Sequence, residues 1–217
     1  MKVGIVGSGD VAQTLGSGFI KHGHEVMLGT RDPQKLSEWK AGAGSKASVG
    51  SFGDAAAFGE IVVVATHGAS TVELLRAIDQ KSFAGKTVID ATNPIVADAD
   101  GFRMFVGFTD SLGEQVQRAL PSARVVKAFN TVGAELMVDP SFEGGPADMF
   151  VAGNDDGAKA RVAEIVKSFG WNVADMGGIE AARYLEPMCM TWVLYGRRTN
   201  TWNHAFRFAR AKKEALI

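Results

Sequence analysis

The sequence predicts an α/β fold: a doubly wound, mostly parallel sheet with a C-terminal helical extension. Three observations carry that reading. A strand-like run, Lys2-Val3-Gly4-Ile5-Val6, passes directly into Gly7-Ser8-Gly9-Asp10-Val11-Ala12 and a helical stretch ending at Lys21. Strand-like and helical stretches then alternate along the chain, which implies right-handed crossovers between parallel strands. The run Glu60-Ile61-Val62-Val63-Val64-Ala65 is continuously apolar between polar flanks, as in a central strand covered on both faces.

The first turn sets the rest of the reading. Gly-x-Gly-x-x-Ala after a strand and before a helix is the first turn of a Rossmann-like dinucleotide fold. Gly7 permits the turn, Gly9 lets the backbone approach a pyrophosphate, and Ala12 keeps helix and strand close. Free N–H groups and the helix dipole then favour phosphate charge. Asp10 is read as a structural acid that satisfies N–H groups at the helix start.

A second strand, His24 to Gly29, ends at Thr30-Arg31-Asp32-Pro33. Dinucleotide folds choose between their two cofactors at this point, with an acid for a ribose hydroxyl or cations for a 2′-phosphate. Here Thr30, Arg31 and, one helical turn later, Lys35 favour NADP: a guanidinium can grip phosphate bidentately and an ammonium adds a point charge. Asp32 before Pro33 suits the N-cap of the next helix.

Small, glycine-rich residues 41–53 form a connection holding a short third strand at Ala47–Gly50, followed by a helix from Ser51 to Phe58. The fourth strand ends in Thr66-His67-Gly68, at the carboxyl edge where such sheets bind ligands. A helix at Val72–Ile78 and a strand at Lys86–Ala91 lead to Thr92-Asn93-Pro94. Ile95 to Thr109 reads as a loop over the site. Leu112–Leu120 is helical, Ala123–Ala128 a strand ending in Phe129-Asn130-Thr131, and Asp148–Gly153 a strand. Asp156–Phe169 is a helix, Trp171–Asp175 a strand, and Glu180 to Leu216 mostly helical.

Residues 1–178 are thus expected to form the nucleotide-binding domain. Residues 179–217 form a helical extension that packs on it or on a partner in a homodimer. Apolar side chains at Tyr184–Trp192, Trp202, Phe206 and Phe208 motivate the dimer. Leu185, Met188, Cys189 and Trp192 mark a buried helix face, with Cys189 an inert small hydrophobe.

Composition excludes several classes of function. The chain has 217 residues, with 23 Lys plus Arg against 24 Asp plus Glu, and no basic stripe for nucleic acid. A single cysteine leaves no internal disulfide or Cys-rich cluster. No apolar run approaches the ~20 residues of a membrane span. A strand beginning at residue 2 leaves no room for a signal peptide, so the expected location is cytoplasmic. No metal set, Ser nucleophile elbow or catalytic dyad is evident. His67 could contact ribose, nicotinamide or a second substrate, with no carboxylate partner in view. Lys127 reads as a strand lysine snorkelling to the surface. Asn93 and Asn130 either orient a carboxamide or ribose, or satisfy loop backbone.

Gly-Ser-Gly-Asp-Val-Ala, Gly-Thr-Arg-Asp-Pro, Asp90-Ala-Thr-Asn-Pro94 and Val126-Lys-Ala-Phe-Asn-Thr131 together resemble the coenzyme F420-dependent NADP oxidoreductases. That domain also forms the cytosolic part of the six-transmembrane metalloreductases. The resemblance runs to about residue 200 and includes Ala182-Arg183-Tyr184-Leu185-Glu186-Pro187. It implies that Ser8, Gly9, Asp10 and Val11 line the pyrophosphate, and that Thr30, Arg31 and Lys35 hold the 2′-phosphate. Thr66 and His67, Asn93 and Pro94, and Ala128 to Asn130 would border the ribose and nicotinamide. The implied activity is hydride transfer between NADP(H) and a small-molecule redox partner, coenzyme F420 or a similar acceptor, by proximity rather than acid–base chemistry. Two alternatives stand beside it: a non-catalytic NADP(H)-binding redox sensor, and an NADPH-dependent reductase of a small carbonyl or imine. The latter usually carries a longer helical domain.

Overall fold

The computed structural model describes residues 1–98 and 101–211. Its main sheet has eight strands in the order β10-β9-β8-β5-β4-β1-β2-β3. These are β1 (Lys2–Val6), β2 (Glu25–Gly29), β3 (Ala47–Gly50), β4 (Ile61–Val64), β5 (Thr87–Asp90), β8 (Arg124–Lys127), β9 (Asp148–Gly153) and β10 (Asn172–Asp175). From β3 to β8 every pairing is parallel; β9 joins β8 antiparallel through Val126–Gly153 and Lys127–Ala152. The chain winds outward from β1 to β3 and then returns to β4 on the other side of β1. This reversal makes a crevice at the carboxyl ends of β1 and β4, the position where open α/β sheets take ligands.

Helices α1 (Asp10–Lys21), α2 (Ser37–Ala43), α3 (Phe52–Phe58), α4 (Gly68–Ala77), α5 (Leu112–Ala119), α6 (Asp156–Ser168) and α7 (Ala182–Thr199) cover the sheet. One face is filled by Val3, Ile5, Leu15, Phe19, Leu28, Ile89, Val126, Phe129 and Phe169, and the other by Val6, Val62, Val64, Leu75, Val88, Leu112 and Val116. Phe19 of α1 meets Phe169 edge-on at 5.0 Å, and Phe129 lies 6.0 Å from the same ring. Such aromatic pairs add about 0.5–1.5 kcal/mol each beyond their buried area. They fasten α1 to the turn that follows β8.

Three expectations are corrected. The stretch after Pro94 is not a plain loop but an antiparallel hairpin of β6 (Ile95–Asp98) and β7 (Gly101–Met104). The C-terminal segment is helical only to Thr199. Asn200 then turns into the left-handed region, φ 52°, and ends α7, as Asn at such a position often does. Residues 200–211 have no regular structure, and residues 212–217 lie outside the described residues. Finally, Asp10 does not cap α1. Gly9 holds the capping position, and Asp10, one residue inside the helix, makes no capping hydrogen bond with its side chain. A side chain there begins one residue too late to fold back onto the first free N–H groups, so its only benefit is to the dipole.

Candidate nucleotide site

The Gly7–Gly9 turn forms where β1 passes between β2 and β4. Gly7 has φ 153°, and a Cβ there would stand 2.2 Å from the Ala65 carbonyl oxygen, so only glycine fits. Gly9 faces open space. Gln13 Nε2 donates to the Ser8 carbonyl at 3.0 Å and fixes the loop between them. No side chain caps the first turn of α1, so its N–H groups remain available to an anion.

Around this turn lies a cavity of about 280 Å³ lined by Gly7, Ser8, Gly9, Arg31, Lys35, Phe52, Ala65, Thr66, His67, Ser70 and Leu74. Arg31, Phe52, Ser70 and Leu74 also border a cavity of about 480 Å³ between α3 and α4. The two form one cleft that runs from the uncapped helix start, past two exposed cations, to an apolar slot. Asp32 places those cations. Its carboxylate accepts from Gln34 N at 3.0 Å and starts the single 3-10 turn, Pro33–Leu36, that carries Lys35.

Thr66 and His67 line that cavity as well, while Asp10, Val11, Ala12 and Thr30 do not. Thr30 is buried, and its hydroxyl accepts from Asp32 N and donates to the Asp32 carbonyl, both at 3.1 Å. It shapes the turn that presents Arg31. Val11 and Ala12 face the protein, and Asp10 faces solvent. His67 is exposed at the start of α4; its carbonyl accepts from Ser70 and Thr71, and among the described residues no carboxylate hydrogen-bonds its ring. Phe52, Ser70 and Leu74 were not foreseen. Phe52 had a legible signal, since it opens a helix fixed by the reciprocal capping of Ser51 and Asp54.

Asn93, Pro94, Ala128 and Asn130 gather at the ends of β5 and β8. Asn93 Nδ2 donates to the Asn130 carbonyl at 2.9 Å, and Asn130 Nδ2 to Asn93 Oδ1 at 3.2 Å. The Asn130 amide also reaches the Leu185 carbonyl of α7, while its buried Oδ1 has no partner among the described residues. Beneath them Lys127 does not snorkel. It is fully buried, with Nζ 2.9 Å from Asp90 Oδ2, 2.8 Å from Glu186 Oε1 and 2.7 Å from the Thr92 carbonyl. Strand β8 is covered on both faces, so the stem has no path to water, and the carboxylates keep the charge in place. Burial pushes the Lys127 pKa down, but Asp90 and Glu186 outweigh it and hold it above its ordinary value. Cys189 sits close by on α7, and burial pushes its thiol up to about 12, which makes it inert. Among the described residues no group of His, Cys, Asp and Glu could hold a metal ion.

Residues 2–94 match the family described as NADP oxidoreductase, coenzyme F420-dependent. A solved protein of Arthrobacter sp. FB24, provisionally assigned as an F420-dependent NADP-reductase, superposes with a TM-score of 0.92 at 39% identity, over 97% of this chain and 100% of that one. The chain belongs to the coenzyme F420-dependent NADP oxidoreductase family. An F420-dependent NADP reductase of Methanothermobacter thermautotrophicus is 29% identical over 95% of this chain and 94% of its own length. Metalloreductase STEAP3 of Rattus norvegicus is 31% identical over 85% of this chain, which spans only 36% of that protein. An imine reductase from Pseudomonas sp., 15% identical with a TM-score of 0.69, shares the fold. That family is one of NADP-dependent oxidoreductases. No helix among the described residues is long and apolar enough to cross a membrane.

Proposed function

We propose that the protein binds NADP(H) in the cleft between β1, β2 and β4 and transfers hydride between it and a deazaflavin such as coenzyme F420. One observation carries the reading: the uncapped start of α1, Arg31 and Lys35 surround a single cavity. That donor set suits a pyrophosphate at one point and a 2′-phosphate at another. The bound dinucleotide supplies the hydride chemistry; the protein supplies orientation and exclusion of water. Gly7, Ser8, Gly9 and the start of α1 take the pyrophosphate, and Arg31 and Lys35 the 2′-phosphate, with Thr30 setting their turn. Phe52 and Leu74 offer an apolar slot to the base. Thr66, His67, Asn93, Pro94, Ala128 and Asn130 border the remaining half. Titration of the protein with NADPH and NADH tests this: NADPH should bind tighter, and equal affinities would sink the reading.

The acceptor side rests on the family and on the wall α7 makes beside β8. We divide the chain at residue 178, into a nucleotide-binding unit and an extension bearing that wall. A homodimer is part of the proposal. Phe206 packs on Phe150 and Trp192 is buried, yet Tyr184, Leu194, Tyr195, Trp202 and Phe208 remain exposed around α7. Light scattering that shows a monomer at micromolar concentration would retire the dimer. A cytoplasmic setting accords with a single, buried cysteine.

A further inference from the structure

Helix α7 touches the end of β8 at two successive residues. The Leu185 carbonyl accepts from the Asn130 amide at 2.9 Å, and Glu186 Oε1 lies 2.8 Å from Lys127 Nζ. Between Lys127 and Asn130 stands Phe129, fully buried, with φ 63°. A bulky residue seldom adopts this left-handed backbone, and it persists only where the surroundings over-determine it. Phe129 itself is held by Met149, whose Sδ accepts from its N–H at 3.2 Å, and by the Phe169 ring, while α7 grips the residues on both sides of it, Lys127 and Asn130.

Glu186 is matched to that task. Its carboxylate accepts from Leu112 N at 2.9 Å and Gly113 N at 2.8 Å, the free donors at the start of α5, as well as facing Lys127. Its charge is thus met by an ammonium and by a helix N-terminus. Through Lys127 it reaches the Thr92 carbonyl, the residue before Asn93. Through Leu185 the same helix reaches Asn130, whose amide meets Asn93 Oδ1. Both routes converge on the Asn93–Asn130 pair. Neither includes a residue that lines the Gly7–Arg31 cavity.

We propose that Glu186 is a positioning residue: from the C-terminal helix it sets the Ala128–Asn130 turn and Asn93 for the nicotinamide half of NADP(H), and leaves the adenosine half untouched. The proposal rests on the NADP(H) reading above. It is tested with the full chain by isothermal titration of NADPH and of 2′,5′-ADP, a fragment without nicotinamide, against wild type and Glu186→Gln. The expected result is NADPH weakened by about tenfold, the equivalent of one charge-assisted hydrogen bond, with 2′,5′-ADP affinity unchanged. Glu186→Asp, which keeps the charge on a shorter arm, should fall between them, and it decides the matter alone if the glutamine variant does not fold. Equal weakening of both ligands would reduce Glu186 to general scaffolding, and no change in either would overturn the proposal outright. A wild type that binds neither ligand removes the NADP(H) reading itself, and this inference with it.

Discussion

Lys127 Nζ lies 2.8 Å from Glu186 Oε1, and both side chains are wholly withdrawn from water. The pair joins the last residue of β8 to the second turn of α7, and with Asp90 it brings two carboxylates onto one ammonium. Desolvation makes such a cluster a weak source of net stability, yet costly to break by halves.

Lys127→Met should therefore destabilise the fold by about 3–5 kcal/mol, the cost of leaving a buried charge unpaired. Urea unfolding at neutral pH measures it. The raised pKa of Lys127 fixes the sign of its pH dependence. Its contribution is complete below the unfolded value of 10.5 and is lost as pH climbs through the higher folded value. On the alkaline side the gap between wild type and variant should narrow. A variant as stable as wild type would mean that the cluster carries no such penalty.

Arg31→Ala should weaken NADPH and barely touch NADH. One charge-assisted phosphate contact is worth about 1.5–3 kcal/mol, so the NADPH dissociation constant should rise by roughly ten- to a hundredfold. Parallel titrations of both cofactors decide it. Equal losses for the two would place Arg31 away from the 2′-phosphate.

Glu114 and Arg183 tie α5 to α7 through two hydrogen bonds of 2.8 and 2.6 Å. Arg183 chiefly, with Ser111, holds the Glu114 pKa below its ordinary 4.5, although burial pushes the other way. A depressed carboxylate stabilises above its unfolded value and loses that contribution as pH falls through the folded one. Wild type should thus exceed Glu114→Gln in stability at neutral pH, and the difference should begin to shrink as pH falls below about 4.5 and disappear below the lower folded value. A difference that persists unchanged into acid would show that the carboxylate charge is not what matters.

His67→Ala should keep most of kcat, with any loss appearing as weaker binding. The imidazole is exposed, and among the described residues no carboxylate hydrogen-bonds it. A general acid would contribute typically ~10²–10⁴-fold. A fall in kcat beyond about a hundredfold at unchanged cofactor affinity would contradict transfer by proximity.

Local signals made much of this legible. The Gly7–Gly9 turn, the bounds of β3 at Ala47–Gly50 and the apolar run of β4 follow from glycine conformation and from strands buried on both faces. Arg31 and Lys35 stand out in the sequence because cofactor choice sits at a fixed place in such folds, and the structure puts both on the lining of the cavity. The hairpin β6–β7 was missed because its strands are short and half exposed, although Asp100-Gly101 in the sequence is a hairpin signal. Lys127 was misread because its partners are far away in sequence. Asp90 is its direct neighbour in register between β5 and β8, so strand order would have revealed the pair. The stripe of Leu185, Cys189 and Trp192 marks the buried face of α7 in the sequence, but no local pattern shows that Glu186 beside it meets Lys127.

NADPH bound in this cleft is proposed to give its hydride to a deazaflavin. The most direct measurement mixes the purified protein with NADPH and coenzyme F420 and follows both absorbances, with free flavin, quinone and ferric acceptors run beside it. NADPH and F420 should be consumed together, one for one, and Arg31→Ala should slow the reaction at limiting NADPH. Oxidation by the other acceptors but not by F420 would contradict the deazaflavin assignment, and tight NADPH binding with no oxidation by any of them would leave a binding module in place of an enzyme.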